Sequence, residues 1–387
     1  MHAKGFLHKM LSPVMHKKRL FTLIELVDGL IFNKKLSVTE LGRSIRTSAS
    51  ERSSIRRSDR FVGNKKMYDE LPDIYKRNID HIIGAKTAPH IIVDWTHIPN
   101  IKCHALRASL VCTGRALTLY EQVHPEKKLG NRKTEKNFLM KLRDFLPKNC
   151  KPVIITDAGF HNEWFQTITD NGWDYVGRIR GMKIFYDGES WTECRKWLPE
   201  ATTKAKYMGN FFLCKKNSIQ AKFYLIKEKS GNRKCYKRQK LRGGRDVQNH
   251  RRAAKEPWLL VSSLQGKHKI ASKVIKIYRK RMQIEEAFRD LKSSKYGFGL
   301  RNAYSRDPRR ISILLLIAMF SSLIAWLIGY VAEKSGLHYK FQACSIRARR
   351  ILSYFFLGCQ IIRRKIKIKT STLFDALEYL HLAGESA

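Results

Sequence analysis

The chain has 387 residues, 43% of them apolar, which is enough for two to four structural units with one sizeable core. Its 76 Lys and Arg against 33 Asp and Glu leave a net charge of +43, which opposes compaction unless a polyanion is near. Nucleic acid is therefore the leading partner, with membrane surfaces and ribosomes as alternatives. Cys103, Cys112, Cys150, Cys194, Cys214, Cys235, Cys344 and Cys359 stand singly, without CxxC or a spaced Cys/His cluster. That argues against a zinc site and a disulfide framework and points to a reducing, cytoplasmic setting.

The opening stretch, MHAKGFLHKMLSPVMHKKRL, is basic without a long apolar run, which argues against a signal peptide. Residues 17–64 read as a helical, basic module. LFTLIELVDGLIF is apolar at helical spacing, and two capping boxes follow, Ser37 with Glu40 and Ser48 with Glu51. Two short capped helices joined by a tight connection suggest a helix-turn-helix-like unit. On the later helix, which should end near Gly63, Arg52, Arg56 and Arg60 recur every four residues with Arg57 beside them. Such a row is either a solvated basic face or a DNA contact, and the global charge favours DNA.

From about residue 85 the pattern turns to strands. HIIVDWTHI (90–98) is an apolar strand interrupted by Asp94; HALRASLVC and ALTLYEQV flank a hairpin turn at Thr113-Gly114-Arg115. TEKNFLMKLRDFL (134–146) is a helix, KPVIITD (151–157) a strand ending in Asp157, NEWFQTITDNG a helix and WDYVGRIRG a strand. Three strands, then helix, strand, helix, strand, suit an α/β domain with a mixed sheet. Residues 181–265 break this rhythm with short strand-like pieces and a long basic loop at 232–255. Helical periodicity returns at 271–292. Residues 311–332 carry no charge and are long enough to cross a bilayer at roughly 20 residues per span. Both flanks are basic, so no inside–outside bias appears, and a buried core helix is the better reading. The basic tail after it is amphipathic and then fades.

Asp94 and Asp157 each lie at or near the end of an apolar strand, where α/β proteins gather their sites. Either could instead cap a turn, Asp157 before Ala158-Gly159 in particular. At about 100° per residue along 278–292, Tyr278, Arg281, Glu285 and Lys292 cluster beside the apolar stripe of Ile277, Ile284, Phe288 and Leu291. Glu286 points away with Arg279, Gln283 and Asp290, toward water. Two strand aspartates and a core-lining Glu285 offer hard oxygen donors suited to Mg²⁺ or Mn²⁺. A metal pair about 4 Å apart activates water or a 3′-hydroxyl for phosphodiester chemistry. Arg281 and Lys292 would position phosphates and Tyr278 could hydrogen-bond one.

The spacing Tyr278-x2-Arg281-x3-Glu285-x6-Lys292, with VDWT at Asp94, TDAGF at Asp157, AKEPWLL at Trp258 and LSVTELGRSIRT near the N-terminus, resembles the DDE transposases of a bacterial insertion-sequence group. The likeness extends over nearly the whole chain. It implies a ribonuclease H-like mixed sheet with helices, interrupted by a β-rich insertion between the second Asp and the Glu. On that pattern residues 1–68 bind DNA ends, 69–180 and 266–335 form the catalytic core, 181–265 the insertion, and 336–387 a helical, dimerising C-terminal region. It further implies cut-and-paste transposition through a hairpin intermediate, with Asp94, Asp157 and Glu285 holding two Mg²⁺ or Mn²⁺ ions. Tyr278, Arg281 and Lys292 would contact end DNA, and Trp258 would stack on a flipped base, a role in competition with ordinary core packing. A homodimer on paired terminal inverted repeats and a nucleoid-associated, cytoplasmic location follow, and the apolar run at 311–332 becomes a core helix. A nuclease of the same fold and an inactive copy that only binds ends are the competing readings.

Overall fold

The alternation of helical and strand periodicity is realised in a computed structural model that describes residues 2–228, 256–266, 269–346 and 348–382. These form two compact units, one from the residues up to Pro152 together with those from Met282 onward, the other from Val153–Arg281.

In the first unit six helices precede the strands: α1 (His2–Leu11), α2 (Lys17–Asn33), α3 (Val38–Arg43), α4 (Glu51–Val62), α5 (Lys65–Asp69) and α6 (Leu71–Ile83). Ser37 starts α3 by accepting from the Glu40 amide at 3.3 Å, as its box predicts. The second cap differs from expectation. Ser50, not Ser48, accepts from the Ser53 amide at 3.3 Å, and the two hydroxyls also meet at 2.9 Å, a second bond that Ser48 with Glu51 does not match. A Cβ on Gly42 would lie 2.5 Å from Ile55 Cα, so α3 and α4 cross with their backbones in contact.

Three antiparallel strands follow, β1 (His90–Ile98), β2 (Cys103–Val111) and β3 (Ala116–Pro125), with Asp94 opposite Arg107 and Arg107 opposite Glu121. Helix α7 (Arg132–Phe145) buries Phe138, Leu139 and Leu142.

The second unit holds β4 (Val153–Thr156), α8 (Asn162–Asp170), β5 (Asp174–Ile179), β6 (Ile184–Tyr186), β7 (Trp191–Glu193), β8 (Lys206–Leu213), β9 (Ile219–Ile226), β10 (Trp258–Ser262) and α9 (Ile270–Arg279). Its strands run in the order β4-β5-β10-β9-β8-β6-β7. Among its described residues only the β4–β5 pair is parallel, so this sheet is mixed. The β-rich stretch thus extends the sheet through β10, which pairs with β5 along Leu259↔Ile179 to Ser262↔Val176. The basic loop read at 232–255 lies outside the described residues.

The chain returns to the first unit with α10 (Met282–Lys292), α11 (Pro308–Lys334), α12 (Tyr354–Arg363) and α13 (Thr370–Leu382). The periodicity read through 271–292 is therefore two helices. The amides of Lys280 and Arg281 reach back only three residues, to Ile277 O at 3.1 Å and Tyr278 O at 2.9 Å, and this tightened turn ends α9. Helix α11 is 27 residues long and apolar enough to span a bilayer, but 89% of its apolar window is buried. It packs against α2, α12, α13 and β3. A Cβ on Gly329 would lie 2.0 Å from Tyr354 O, which is how closely α11 and α12 approach.

Candidate active site

Side chains alternate along β1, so Asp94 and Thr96 share one face, with Trp95 and His97 on the other. Beside Asp94 the register brings Arg107, which is 4% exposed. Its Nε and Nη2 both donate to Glu121 Oε2, at 2.8 and 2.6 Å, and its guanidinium lies 5.1 Å from the Phe288 ring centre. A charge so deeply placed is tolerable because the partner is bound twice over. From α10, Lys292 Nζ donates to Thr96 Oγ1 at 2.6 Å and sits 5.7 Å from the same ring. Burial, then the charges of Arg107 and Arg301, push the Lys292 ammonium down to about 8, with Asp94 pulling the other way.

Helix α10 has two working faces. Glu285, Phe288 and Lys292 fall on one stripe, with Glu285 exposed and Phe288 buried. Gln283, Glu286 and Asp290 form the other, where the water-facing expectation fails at Asp290, while the Glu286 side chain stays 42% exposed. Gln283 Oε1 accepts from the Cys112 amide at 3.2 Å, Arg115 Nε donates to Asp290 Oδ2 at 2.6 Å, and Arg115 also pairs with Glu286. Asp290 is 7% exposed, and its burial raises its carboxyl against the pull of Arg115. Residues of the β2–β3 turn, Cys112 and Arg115, lie against this face. The two glutamates remain distinct, one exposed and one tied to an arginine.

In the second unit Asp157 follows β4 and is partly exposed; its Oδ1 accepts from the Gly159 amide at 2.8 Å. The turn-capping alternative thus accounts for one of its oxygens. Tyr278, on α9, is 3% exposed and meets the Trp258 ring edge-on at 5.0 Å. The Arg281 guanidinium lies 6.0 Å from the Tyr278 ring. Burial raises the Tyr278 hydroxyl, with Arg281 and Arg178 opposing. Arg178 itself is held by Glu256 and by the Pro257 carbonyl, and its Nε is buried without a partner.

Among the N-terminal arginines, Arg52, Arg56 and Arg60 are exposed on α4. Arg57 turns inward: it pairs with Glu25 at 2.6 Å and donates to Thr22 Oγ1 at 3.0 Å, with Phe21 beneath it at 5.4 Å. Sequence reasoning passed over Arg107, Glu121, Thr96, Arg115 and Arg178. The first two carried a signal, since each is a charge inside an otherwise apolar strand.

Within the first unit the structure sets Lys292 near Asp94, with Glu285 on the same helical stripe; within the second it sets Asp157 near Tyr278, with Trp258 against that ring. Among the described residues no three His, Cys, Asp or Glu side chains are gathered closely enough to hold a metal ion. The carboxylates nonetheless supply the hard oxygen donors that Mg²⁺ takes.

An α/β architecture with Asp94 in the middle of β1 rather than at its end, Asp157 just after β4, and cations along α10 suits an enzyme that works on a polyanion. The family model of the transposase DDE domain matches residues 85–324, more than half of the chain, and the chain belongs to this family of DNA-transposing enzymes. No curated protein matches it. The cryo-EM structure of a piggyBac transposase synaptic complex with hairpin DNA is similar at a TM-score of 0.42 and 12% identity, covering 98% of this chain and 81% of that one.

Proposed function

We propose that the chain is a cut-and-paste transposase of the bacterial insertion-sequence group with the Tyr–Arg–Glu–Lys signature. It would bind terminal inverted repeats as a homodimer in the bacterial cytoplasm, cut through a hairpin intermediate and join the 3′ ends to target DNA. The observation that carries this reading is the half-buried Lys292 bonded to Thr96 beside Asp94, with Glu285 on the same helical stripe. A ribonuclease H-like core is supported by the chain order of three antiparallel strands, then helix, strand, helix, strand, with β4 parallel to β5. In this reading residues 1–68 grip DNA ends through Arg52, Arg56 and Arg60, and 336–387 serve dimerisation.

Asp94, Asp157 and Glu285 would hold the divalent ions, Mg²⁺ or Mn²⁺, whose chemistry is to polarise the phosphodiester and acidify water. Lys292, Arg281 and Tyr278 would fix the phosphates around the cut. The partly exposed Trp258, edge-on to Tyr278, would receive a flipped base.

The test is purified protein with Mg²⁺ and DNA carrying the inverted repeats that flank the reading frame. Hairpin-ended fragments and joined product are expected from the wild type, and Glu285→Ala should abolish both while still binding DNA. Nicks without joining would favour a same-fold nuclease. A gel shift without cleavage would leave only an end-binding, repressing protein.

A further inference from the structure

The loop joining α10 to α11, residues 293–307, is short of acids, rich in cations and firmly held. Phe298, Leu300 and Ala303 are buried and anchor it. The Phe298 amide donates to Asp290 O at 2.7 Å, the Leu36 amide to Phe298 O at 2.8 Å, and Asn100 Nδ2 to Arg301 O at 2.8 Å. On this fixed frame Tyr304 is 82% exposed, with no ring or cation neighbour among the described residues. A lone exposed aromatic carries little by itself. Within five residues of it along the chain, Arg301, Arg306 and Arg309 are exposed, and none of their side chains pairs with an acid among the described residues. The single acid of the segment, Asp307, accepts from the Arg309 amide at 2.8 Å as the cap of α11. The loop leaves α10 directly after Lys292, and the Arg301 charge is felt there, so positive potential continues from the candidate site along the loop.

We propose that this loop is a stacking platform for one unpaired nucleotide of the DNA, with Tyr304 under the base and Arg301, Arg306 and Arg309 on the neighbouring phosphates. Inside a duplex each base face is covered by the neighbouring pair, so away from the duplex ends it is an unpaired base that offers a face to a tyrosine. Guanidiniums at both chain ends of the ring suit the backbone on either side of that base. The proposal rests on the transposase reading, in which strand cutting produces such free ends. It involves residues of the first unit, whereas Trp258 belongs to the second.

Fluorescence anisotropy of the full chain without divalent ion should compare a duplex bearing a short single-stranded overhang with a blunt duplex of the same length. Tyr304→Ala is expected to bind the overhang DNA about tenfold more weakly and the blunt DNA unchanged. Tyr304→Phe should restore binding, and Arg306→Ala should lower the salt slope by about 0.7 to 0.9. Wild-type binding of the overhang by Tyr304→Ala, or an equal loss on both DNAs, would overturn the platform. Cleavage of repeat-bearing DNA, assayed on the same preparations, separates the two readings. A selective Tyr304 loss in a protein that never cuts keeps the platform and removes the transposase mechanism; cutting with an indifferent Tyr304 does the reverse.

Discussion

Arg107 is the side chain on which the surroundings of Asp94 depend. It stands opposite Asp94, is bonded twice to Glu121 and covers Phe288 on α10. Arg107→Ala would leave Glu121, itself 4% exposed, as a buried charge without its partner. The expected cost is about 3–5 kcal/mol, read from denaturant unfolding, and an unchanged midpoint would show that the pair contributes nothing. Lys292 makes the site sensitive to pH. Its folded-state value of about 8 lies below that of an unfolded lysine, about 10.4. Between those values the unfolded chain binds more protons, so this group's contribution to stability rises with pH there, and the cost of holding it charged is present in full below 8. Its grip on phosphate runs the opposite way and fades as pH rises through about 8. Lys292→Arg, which stays charged, should therefore bind DNA evenly from about pH 7 to about pH 9 while the wild type weakens.

At the scale of elements, α4 shows how one row of arginines divides between two tasks. Arg56→Ala should weaken DNA binding and lower the salt slope by about 0.9, with stability unchanged. Arg57→Ala should instead destabilise, because Glu25 loses the partner that bonds it at 2.6 Å; a thermal melt with a binding titration on each variant separates the two. The Ser37 box was legible because its bonds are local to four residues, whereas the choice of Ser50 over Ser48 turned on a hydroxyl pair that spacing rules do not include. Strand identities were legible for the same reason of locality: the run from β1 to β5 follows from apolar periodicity and turn residues. The inner role of Arg57 and the Arg115 contact on the Glu286 face were not, since each is decided by a partner 32 or more positions away in the chain. The turn after Tyr278 was hidden because apolar spacing continues across it unbroken.

For the molecule as a whole, a net charge of +43 dominates its encounter with any polyanion. Non-specific duplex binding should fall by about a thousandfold or more between about 50 and 200 mM salt, as expected when six or more phosphates are neutralised; a shallow dependence in anisotropy would show that much of the charge lies away from DNA. Asp157 follows β4 as apolar periodicity expected, whereas Asp94 falls in the middle of β1 because the strand runs on through Trp95 to Ile98. The nearness of Asp94 to Lys292 was not readable from sequence, because the two lie 198 positions apart in the chain.

The double hold of Arg115 on Glu286 and Asp290 has an evolutionary consequence. One guanidinium serves two acids, so no single exchange of sign at position 115 can be offset by a single exchange on α10. Among relatives, positions 115, 286 and 290 should vary as a trio, while position 285 stays acidic whatever the trio does.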